Sequence, residues 1–170
     1  MSLHLLLVCW RGVSLGTRGL MVPCPQPRIL AERGITVKDK NLEASSEFVR
    51  VAGLRFDEIS GKRVRGKIEL DERHHTPWGV VHGGVYTSAV ASAASVGAST
   101  AVEGRGQFAV GVSSSTDFLR PVMEGGVEVV AEPIMQDKIQ QLWQVTITRS
   151  DDGKEVVRGR VRLQNVPLPS

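Results

Sequence analysis

The pair Gly83-Gly84 directly follows His82 and precedes a long run of small and apolar residues, Val85 to Val102. No Lys, Arg, Asp or Glu occurs from His74 to Val102. This pattern predicts a tight glycine turn that opens a buried helix. Because the first N–H groups of a helix have no partner within it, such a turn can bind and polarise an oxygen. Taken alone, the motif is equally compatible with a purely structural strand-to-helix turn.

Chemistry at this turn depends on the elements around it, which the hydrophobic pattern predicts. A short helix is expected over residues 41–52, with Asn41 as its cap and Gly53 as its stop. The long helix is expected from about Gly83 to Ala101. The strand patterns cover 54–59, 64–70, 108–118, 127–135, 142–148 and about 157–163, with turns at Ser60-Gly61 and Asp151-Asp152-Gly153.

One long helix followed by antiparallel strands predicts an α+β fold with the helix on one sheet face. The helix carries small or apolar residues on every side, so it must be covered all round. A single curved sheet covers only one side. A second subunit is therefore the simplest source of the remaining cover.

The composition favours one cytoplasmic domain. Residues 1–30 hold three of the 21 basic residues and no acid, which leaves 18 basic and 18 acidic residues and gives no sign of a nucleic-acid surface. Both cysteines, Cys9 and Cys24, lie in the same stretch, so a disulfide framework is not expected.

Residues 1–40 are interpreted as a disordered extension and 41–166 as the domain. The run Leu3–Trp10 is too short to span a membrane, although it leaves a signal peptide or an upstream start before Met21 as alternatives.

The segment Gly79–Tyr86, the small-residue helix after it and the later run Ser115–Pro121 resemble the PaaI-like hotdog-fold acyl-CoA thioesterases. Within that group the chain is most similar to the 4-hydroxybenzoyl-CoA thioesterase branch, over roughly residues 45–165. The resemblance implies an antiparallel sheet wrapped around one central helix, and a homodimer or homotetramer built from dimers. It also implies an acyl-CoA substrate, an active site between protomers, and no cofactor or metal.

The resemblance assigns the carbonyl-polarising N–H to Gly83, which is stabilisation of the oxyanion type. The family places a catalytic carboxylate eight residues further along the helix. That position here is Ala91, with Val90 as the alternative placement, and neither side chain can accept a proton. This is the principal departure of the sequence from the family pattern.

Other residues are candidates for supporting roles at this site. Ser95 matches a hydroxyl that the family places near the attacking group, and Thr76 stands where relatives often carry a substrate-facing Gln. His82 is expected mainly to support the loop, although His82 or His75 could act as a base by chemistry alone. The expected substrate-binding residues are Gly84, Trp78, Ser114, Ser115 and Arg120.

Some of these residues also have structural interpretations. Ser113–Ser115 would form one exposed strand face, Asp117 would end a strand, and Arg158, Arg160 and Arg162 would form a solvated stripe. Trp78 and Trp143 would fill the core or an interface. No metal-ligand spacing or phosphate loop occurs.

Two functions follow from these residues. The chain is expected to be an acyl- or aryl-CoA thioesterase whose helix carboxylate is replaced by Ala91. The alternative is a catalytically impaired acyl-CoA-binding or regulatory protein. A hotdog dehydratase is a weaker interpretation, because it too would need the missing acid.

Overall fold

The computed structural model describes residues 46–168, which belong to one compact unit. Residues 1–40, the predicted extension, lie outside this range. Single 3-10 turns occupy Glu72–His74 and Glu103–Arg105. The helices and strands are α1 (Glu47–Val51), β1 (Arg55–Ile59), β2 (Val64–Leu70), α2 (Gly83–Val102), β3 (Gln107–Phe118), β4 (Gly125–Gln136), β5 (Gln140–Arg149) and β6 (Glu155–Pro167).

The strands form one six-stranded antiparallel sheet in the order β1-β2-β4-β5-β6-β3, and α2 packs on one of its faces. This confirms the α+β architecture predicted from the sequence. Because β3 pairs only with β6 in the described chain, it forms one edge of the sheet, and the short β1 forms the other. The helix start and the end of β3 therefore meet beside a free sheet edge.

The predicted strand alternation is confirmed in the central strands. In β2, every second residue from Val64 to Leu70 is buried, and the residues between are exposed. In β6, Val157, Val161 and Leu163 are buried while the arginines between them face solvent. The apolar face of the sheet thus lies against α2, as its period of two requires.

The first helix is shorter than predicted. Within the described residues it begins at Glu47, after the Ser46 cap, whose Oγ accepts a hydrogen bond from Val49 N–H at 3.4 Å. The proposed cap at Asn41 is therefore wrong for this helix, and Asn41 itself lies outside the described residues. The predicted stop is confirmed, because Gly53 takes a positive φ of 75° just beyond the helix end.

The α2 helix is covered by the sheet on one side only. Its core face includes Tyr86, Val90, Ala94 and Ala98, which are buried, whereas Ser88, Ala91, Ser92, Ser95 and Val96 are half-exposed. The sheet therefore leaves one stripe of α2 without cover, as the sequence predicted. No helix among residues 46–168 is long and apolar enough to cross a bilayer.

The helix approaches the sheet closely because glycines face it. A Cβ at Gly97 would lie 2.5 Å from the Trp143 ring, and a Cβ at Gly159 would lie 2.4 Å from Val90. Trp143 is fully buried, which confirms its predicted place in the core. Trp78 is 84% exposed, so its interpretation as a core residue is wrong.

A buried amide network fixes the far end of the helix. Gln141 Nε2 donates to Ala98 O at 2.9 Å and to Asn165 Oδ1 at 2.8 Å. Gln141 Oε1 accepts from Trp143 Nε1 at 3.0 Å. Asn165 Nδ2 in turn donates to the main chain of the β4–β5 hairpin. The helix, β5, β6 and the β4–β5 hairpin are thus tied together at the end opposite Gly83, with the buried side-chain amide of Gln141 satisfied.

We expect Gly97→Ala to destabilise the fold, although alanine is the better helix former. The helix preference would favour the variant by about 1 kcal/mol. The overlap with the fully buried Trp143 ring should cost about 1–3 kcal/mol and exceed that gain. Urea unfolding measures the net change. Gly104→Ala is the matched control, because nothing lies within 4 Å of its added Cβ. A Gly97→Ala protein more stable than the control would contradict this packing.

Candidate active site

The start of α2 leaves one backbone donor free. His82 is the helix cap, and its Nδ1 accepts a hydrogen bond from Gly84 N–H at 2.8 Å. Val85 N–H donates to His82 O at 3.0 Å. Gly83 N–H has no acceptor among the described residues. The half-buried Gly83 is therefore the peptide unit at which an outside oxygen can bind.

The aromatic ring of Phe118 covers the same glycine. A Cβ at position 83 would lie 2.9 Å from Phe118 Cζ, so a side chain there would displace the ring. Phe118 comes from the end of β3 and is 56% exposed, and its ring centre lies 6.4 Å from that of Tyr86. The free N–H is thus bordered by apolar surface, which strengthens a hydrogen bond made there. Neither aromatic residue was predicted as part of the site, because the close approach of Phe118 to Gly83 joins residues far apart in the sequence.

Hydrogen bonds hold the loop before the helix. Thr76 N–H and Oγ1 both donate to Val80 O, at 2.7 and 3.0 Å. His82 N–H donates to His74 O at 2.8 Å, and Val81 N–H donates to Val122 O at 3.0 Å. The Thr76 hydroxyl proton is therefore engaged in the turn. Its oxygen retains capacity to accept a hydrogen bond.

The three histidines around this loop differ in which lone pairs are free. The Nδ1 lone pair of His82 is taken by Gly84 N–H, and that of His74 by Asp71 N–H at 3.1 Å. His75 Nε2 lies 2.5 Å from Met123 O, and since a carbonyl can only accept, this nitrogen donates. His75 Nδ1 is thus the one nitrogen of these three rings with a free lone pair. The supporting role expected for His82 fits its observed contacts.

Position 91 lies two turns along α2 from the free N–H. Eight residues at 1.5 Å each place Ala91 about 12 Å from Gly83 along the helix axis. Ala91 and Ser95 are half-exposed, on the stripe of α2 that the sheet leaves open. No Lys, Arg, Asp or Glu occurs within residues 74–102. The stripe itself therefore offers hydroxyls and methyl groups, and no carboxylate.

The remaining predicted binding residues do not form one cluster. Ser115 lies opposite Arg160 on the outer sheet face, whereas Ser114 lies opposite buried Val161 on the helix side. The serines therefore do not share a face. All of them are exposed, because β3 is an edge strand.

The Gly84 N–H is used by the cap and is not available to a ligand. Trp78 lies on the exposed turn before Gly79.

The arginines near β3 differ in their partners. Arg120 Nη1 donates to Glu155 O, and Arg158 pairs with the Glu155 carboxylate. Arg160 and Arg162 are exposed and make no ion pair with a described residue. Asp117, opposite Arg158, is exposed one residue before the end of β3, next to its predicted place at a strand end. Among residues 46–168 no group of three or more His, Cys, Asp or Glu side chains is placed to hold a metal ion.

Comparison with known proteins matches this architecture to one family. Residues 79–156 match the thioesterase superfamily. A Mycobacterium tuberculosis protein, provisionally named an esterase, is 39% identical over 127 residues, which cover 74% of this chain and 90% of the relative. The chain belongs to the thioesterase superfamily.

Solved structures of thioesterase-superfamily relatives show the same fold. The Mycobacterium tuberculosis structure aligns with a TM-score of 0.70 at 38% identity, covering 74% of this chain and all of that one. A Haemophilus influenzae thioesterase aligns with a TM-score of 0.70 at 27% identity, covering 80% and 94%. The 1,4-dihydroxy-2-naphthoyl-CoA hydrolase of Escherichia coli K12 is 28% identical over 116 residues, covering 68% and 85%. This thioesterase-family chain therefore has the hotdog fold. The predicted family and the predicted fold are both confirmed.

We expect Tyr86 of this thioesterase-family protein to stay protonated to unusually high pH. Burial raises the pKa of Tyr86 to about 12, and its hydroxyl has no hydrogen-bond partner in the described chain. Tyr86 is the only tyrosine of the sequence, so phenolate absorbance reports it alone. Because the pKa of Tyr86 in the folded protein exceeds the unfolded value of about 10, its protonated form contributes to the free energy of unfolding. This contribution is fully present below pH 10 and is lost as the pH rises towards 12. Tryptophan fluorescence shows whether the protein is still folded at each pH. A phenolate titration midpoint near pH 10 in the folded protein would contradict the burial of Tyr86.

Proposed function

We propose that this chain binds an acyl- or aryl-CoA thioester with its carbonyl oxygen at Gly83 N–H, and that it promotes hydrolysis to the free acid and CoA. The observation that carries the proposal is the single unpaired donor at the start of α2, beneath the Phe118 ring. Membership of the thioesterase superfamily supports thioester hydrolysis as the reaction class.

The chemistry needs little beyond this donor and a water molecule. Water adds to the thioester carbon, and the carbonyl oxygen gains negative charge that Gly83 N–H and the helix N-terminus stabilise. The carbon–sulfur bond then breaks, the proton that the water gives up passes to the leaving sulfur, and the free acid and CoA are released. One oxyanion donor of this kind is worth about 2.7–4 kcal/mol of transition-state stabilisation.

We propose a homodimer formed through β3. This edge strand is twelve residues long, its outer side has no partner in the described chain, and it exposes Val110 and Val112. A long apolar edge strand is a template for pairing with another strand. Antiparallel pairing of two β3 strands about a twofold axis would close both edges with one interface. It would also supply cover for the open stripe of α2.

The helix geometry favours a site shared between two copies. A carbonyl at Gly83 is about 12 Å from position 91 of the same helix, which is beyond the reach of one side chain. A second copy, related by a twofold axis, can bring its open helix stripe to the first copy's helix start. We therefore assign position 91 and Ser95 to the site of the opposite protomer.

The absence of a base at position 91 sets the expected rate. A positioned general base contributes about 10²–10⁴-fold, and alanine supplies none of it. Thr76 and Ser95 can hold water but cannot take its proton, and His82 already uses its Nδ1 lone pair. This observation favours a second candidate function, in which the protein binds acyl-CoA and responds to it without efficient turnover.

The nucleotide of CoA would lie on the outer surface beside β3. Ser115, Arg160 and Arg162 share the outer sheet face there, and the two arginines have no ion-pair partner among the described residues. A guanidinium group matches phosphate geometry. Arg120 remains a candidate phosphate ligand through the N–H groups not bonded to Glu155 O.

The cytoplasmic location stays a prediction from cysteine usage.

We expect Ala91→Glu to raise thioester hydrolysis about 10²–10⁴-fold over the unmodified chain, because it adds a base where the site lacks one. Release of free thiol from a panel of acyl- and aryl-CoAs measures the rate. Ala91→Gln is the matched control, since it has similar size but cannot accept a proton at neutral pH. Equal rates for all three proteins would mean that the chemistry does not involve position 91.

We expect Val112→Lys to convert the dimer to a monomer and to abolish hydrolysis by the Ala91→Glu protein. Two lysines would meet near the twofold axis, and like charges oppose strand pairing. Analytical ultracentrifugation gives the mass in solution. Ile134→Lys is the control, because Ile134 is similarly exposed but lies in β4, away from this edge. An active monomer would contradict the shared site.

A further inference from the structure

The imidazole ring of His74 is buried beneath the loop that leads to the glycine turn, and the reaction proposed above makes no use of it. Only 6% of the residue is exposed. A Cβ at Gly53 would lie 3.3 Å from His74 Nε2, so the ring lies against the chain just beyond α1. The α1 helix contributes the apolar residues Phe48 and Val51 to the wall of the cavity that this ring also lines. A titratable ring in such surroundings needs specific partners.

One nitrogen of this ring closes the turn that precedes the loop. His74 Nδ1 accepts a hydrogen bond from Asp71 N–H at 3.1 Å, and the Asp71 carboxylate accepts one from Arg73 N–H at 3.0 Å. These reciprocal bonds form a capping box around the single 3-10 turn Glu72–His74. Because Nδ1 accepts a hydrogen bond, the ring that closes this box is neutral and carries its proton on Nε2.

The main chain of the same histidine holds the cap of the long helix. His74 O accepts a hydrogen bond from His82 N–H at 2.8 Å, and His82 Nδ1 in turn accepts one from Gly84 N–H at 2.8 Å. A continuous series of hydrogen bonds therefore runs from Asp71 N–H through both histidines to the start of α2, where Gly83 N–H is free. Hydrogen-bond networks with two discrete arrangements can carry coupling of this kind.

The Asp71 carboxylate offers the ring a second partner. Asp71 Oδ1 lies 3.2 Å from His74 Nδ1, almost as close as the Asp71 main-chain nitrogen. Arg73 donates to this carboxylate from Nε and Nη2 and lowers the pKa of Asp71 to about 2, so the group stays charged at every pH at which histidine titrates. A protonated Nδ1 cannot accept from Asp71 N–H, but it can donate to Oδ1. The ring therefore has one arrangement for each charge state.

The other charged groups around the ring do not compete with Asp71 for it. The titratable or charged groups on the surrounding elements are Glu47 and Arg50 of α1, Glu69 of β2, Glu72 and Arg73 of the turn, His75 and His82 of the loop, and Glu124 after β3. The two α1 groups pair with each other, the other three glutamates are exposed, and both loop histidines have hydrogen bonds of their own. The α2 helix carries no Lys, Arg, Asp or Glu.

We propose that His74 is a positioning residue for the Gly83 donor, and that its protonation in mildly acidic solution weakens binding of the thioester carbonyl. The charged ring turns to Asp71 Oδ1, the capping box opens, and the segment that holds His82 N–H loses its anchor. The turn with its two hydrogen-bond arrangements is the two-state element. The inference rests on the proposed function, because it takes Gly83 N–H as the carbonyl site. It adds control of that site by pH, through a residue that does not touch the substrate.

The first test follows the amide and imidazole NMR signals of the full, unmodified chain across the pH range in which histidine titrates, about pH 5 to 8, without ligand. We expect the Asp71 and Gly83 amide signals to shift with the same midpoint as the His74 ring. The Asp71 amide should also lose protection from hydrogen exchange on the acid side. A His74 ring that stays neutral throughout, or an Asp71 amide that does not follow it, overturns the proposal. A Gly83 amide that follows the His82 ring instead overturns it as well.

The second test uses His74→Asn, which separates the position of the acceptor from its charge. The asparagine Oδ1 can accept from Asp71 N–H in place of Nδ1, but it does not titrate. His75→Gln is the matched control, because it removes the adjacent ring and keeps a donor for Met123 O. The probe is phenacyl-CoA, a non-hydrolysable CoA thioether that keeps a ketone carbonyl.

Calorimetry gives the dissociation constant of this probe on the acid and the neutral side of the histidine titration. The ratio of the two constants within one protein cancels any general loss of affinity from a disturbed loop, and the comparison between proteins cancels the ionisation of CoA. We expect the ratio for the unmodified chain and for His75→Gln to exceed that for His74→Asn by about 3-fold or more, because one hydrogen bond is at stake. Equal ratios in all three proteins overturn the proposal.

Two outcomes separate this inference from the proposed function. If phenacyl-CoA binds with the same ratio in all three proteins, the carbonyl site stands and His74 does not control it. If the probe does not bind the unmodified chain on either side of the titration, the proposed function fails, and control of carbonyl binding by His74 fails with it.

Discussion

The hydrogen bond from Gly84 N–H to His82 Nδ1 determines much of the chemistry at this site. It fixes where α2 begins, and it uses one of the first helical donors while leaving Gly83 N–H free. It also places the His82 proton on Nε2, so this ring cannot serve as a base without giving up the cap. One short contact therefore sets the position of the proposed oxyanion donor and the tautomer of the neighbouring ring. Under the proposed mechanism, the base would then have to come from elsewhere.

The residues that could be predicted from the sequence are those whose role follows from local pattern. The period of two in β2 and β6 and the charge-free run of α2 were sufficient to predict the elements and the uncovered helix side. The start of α1 was misplaced, because several polar residues before it could act as caps and only tertiary packing selects one. The close contacts of Phe118 with Gly83 and of Gly97 with Trp143 join residues far apart in the chain, and periodicity carries no information about them.

The same limit explains why the candidate site was predicted only in part. Gly83 and His82 are adjacent in sequence, so their joint role could be inferred from a motif. Phe48, Val51 and His75 come together only because the fold packs α1 beside the helix start. Residue type alone assigned Trp78 to the core or an interface, and its exposure in the described chain excludes the core. Residue type predicts burial on average, and the loop geometry decides the individual case.

The proposed carbonyl donor and the position proposed to lack a base lie in separable parts of this fold. Gly83 is held by its cap and by the Phe118 contact, and neither contact involves position 91. A change from carboxylate to methyl at that position removes a charge from a half-exposed helix stripe, where the structural cost is small. Binding of the carbonyl can therefore survive the loss of the base. Under the proposed mechanism, a thioester-binding protein and a thioesterase of this fold would differ by the one side chain at position 91.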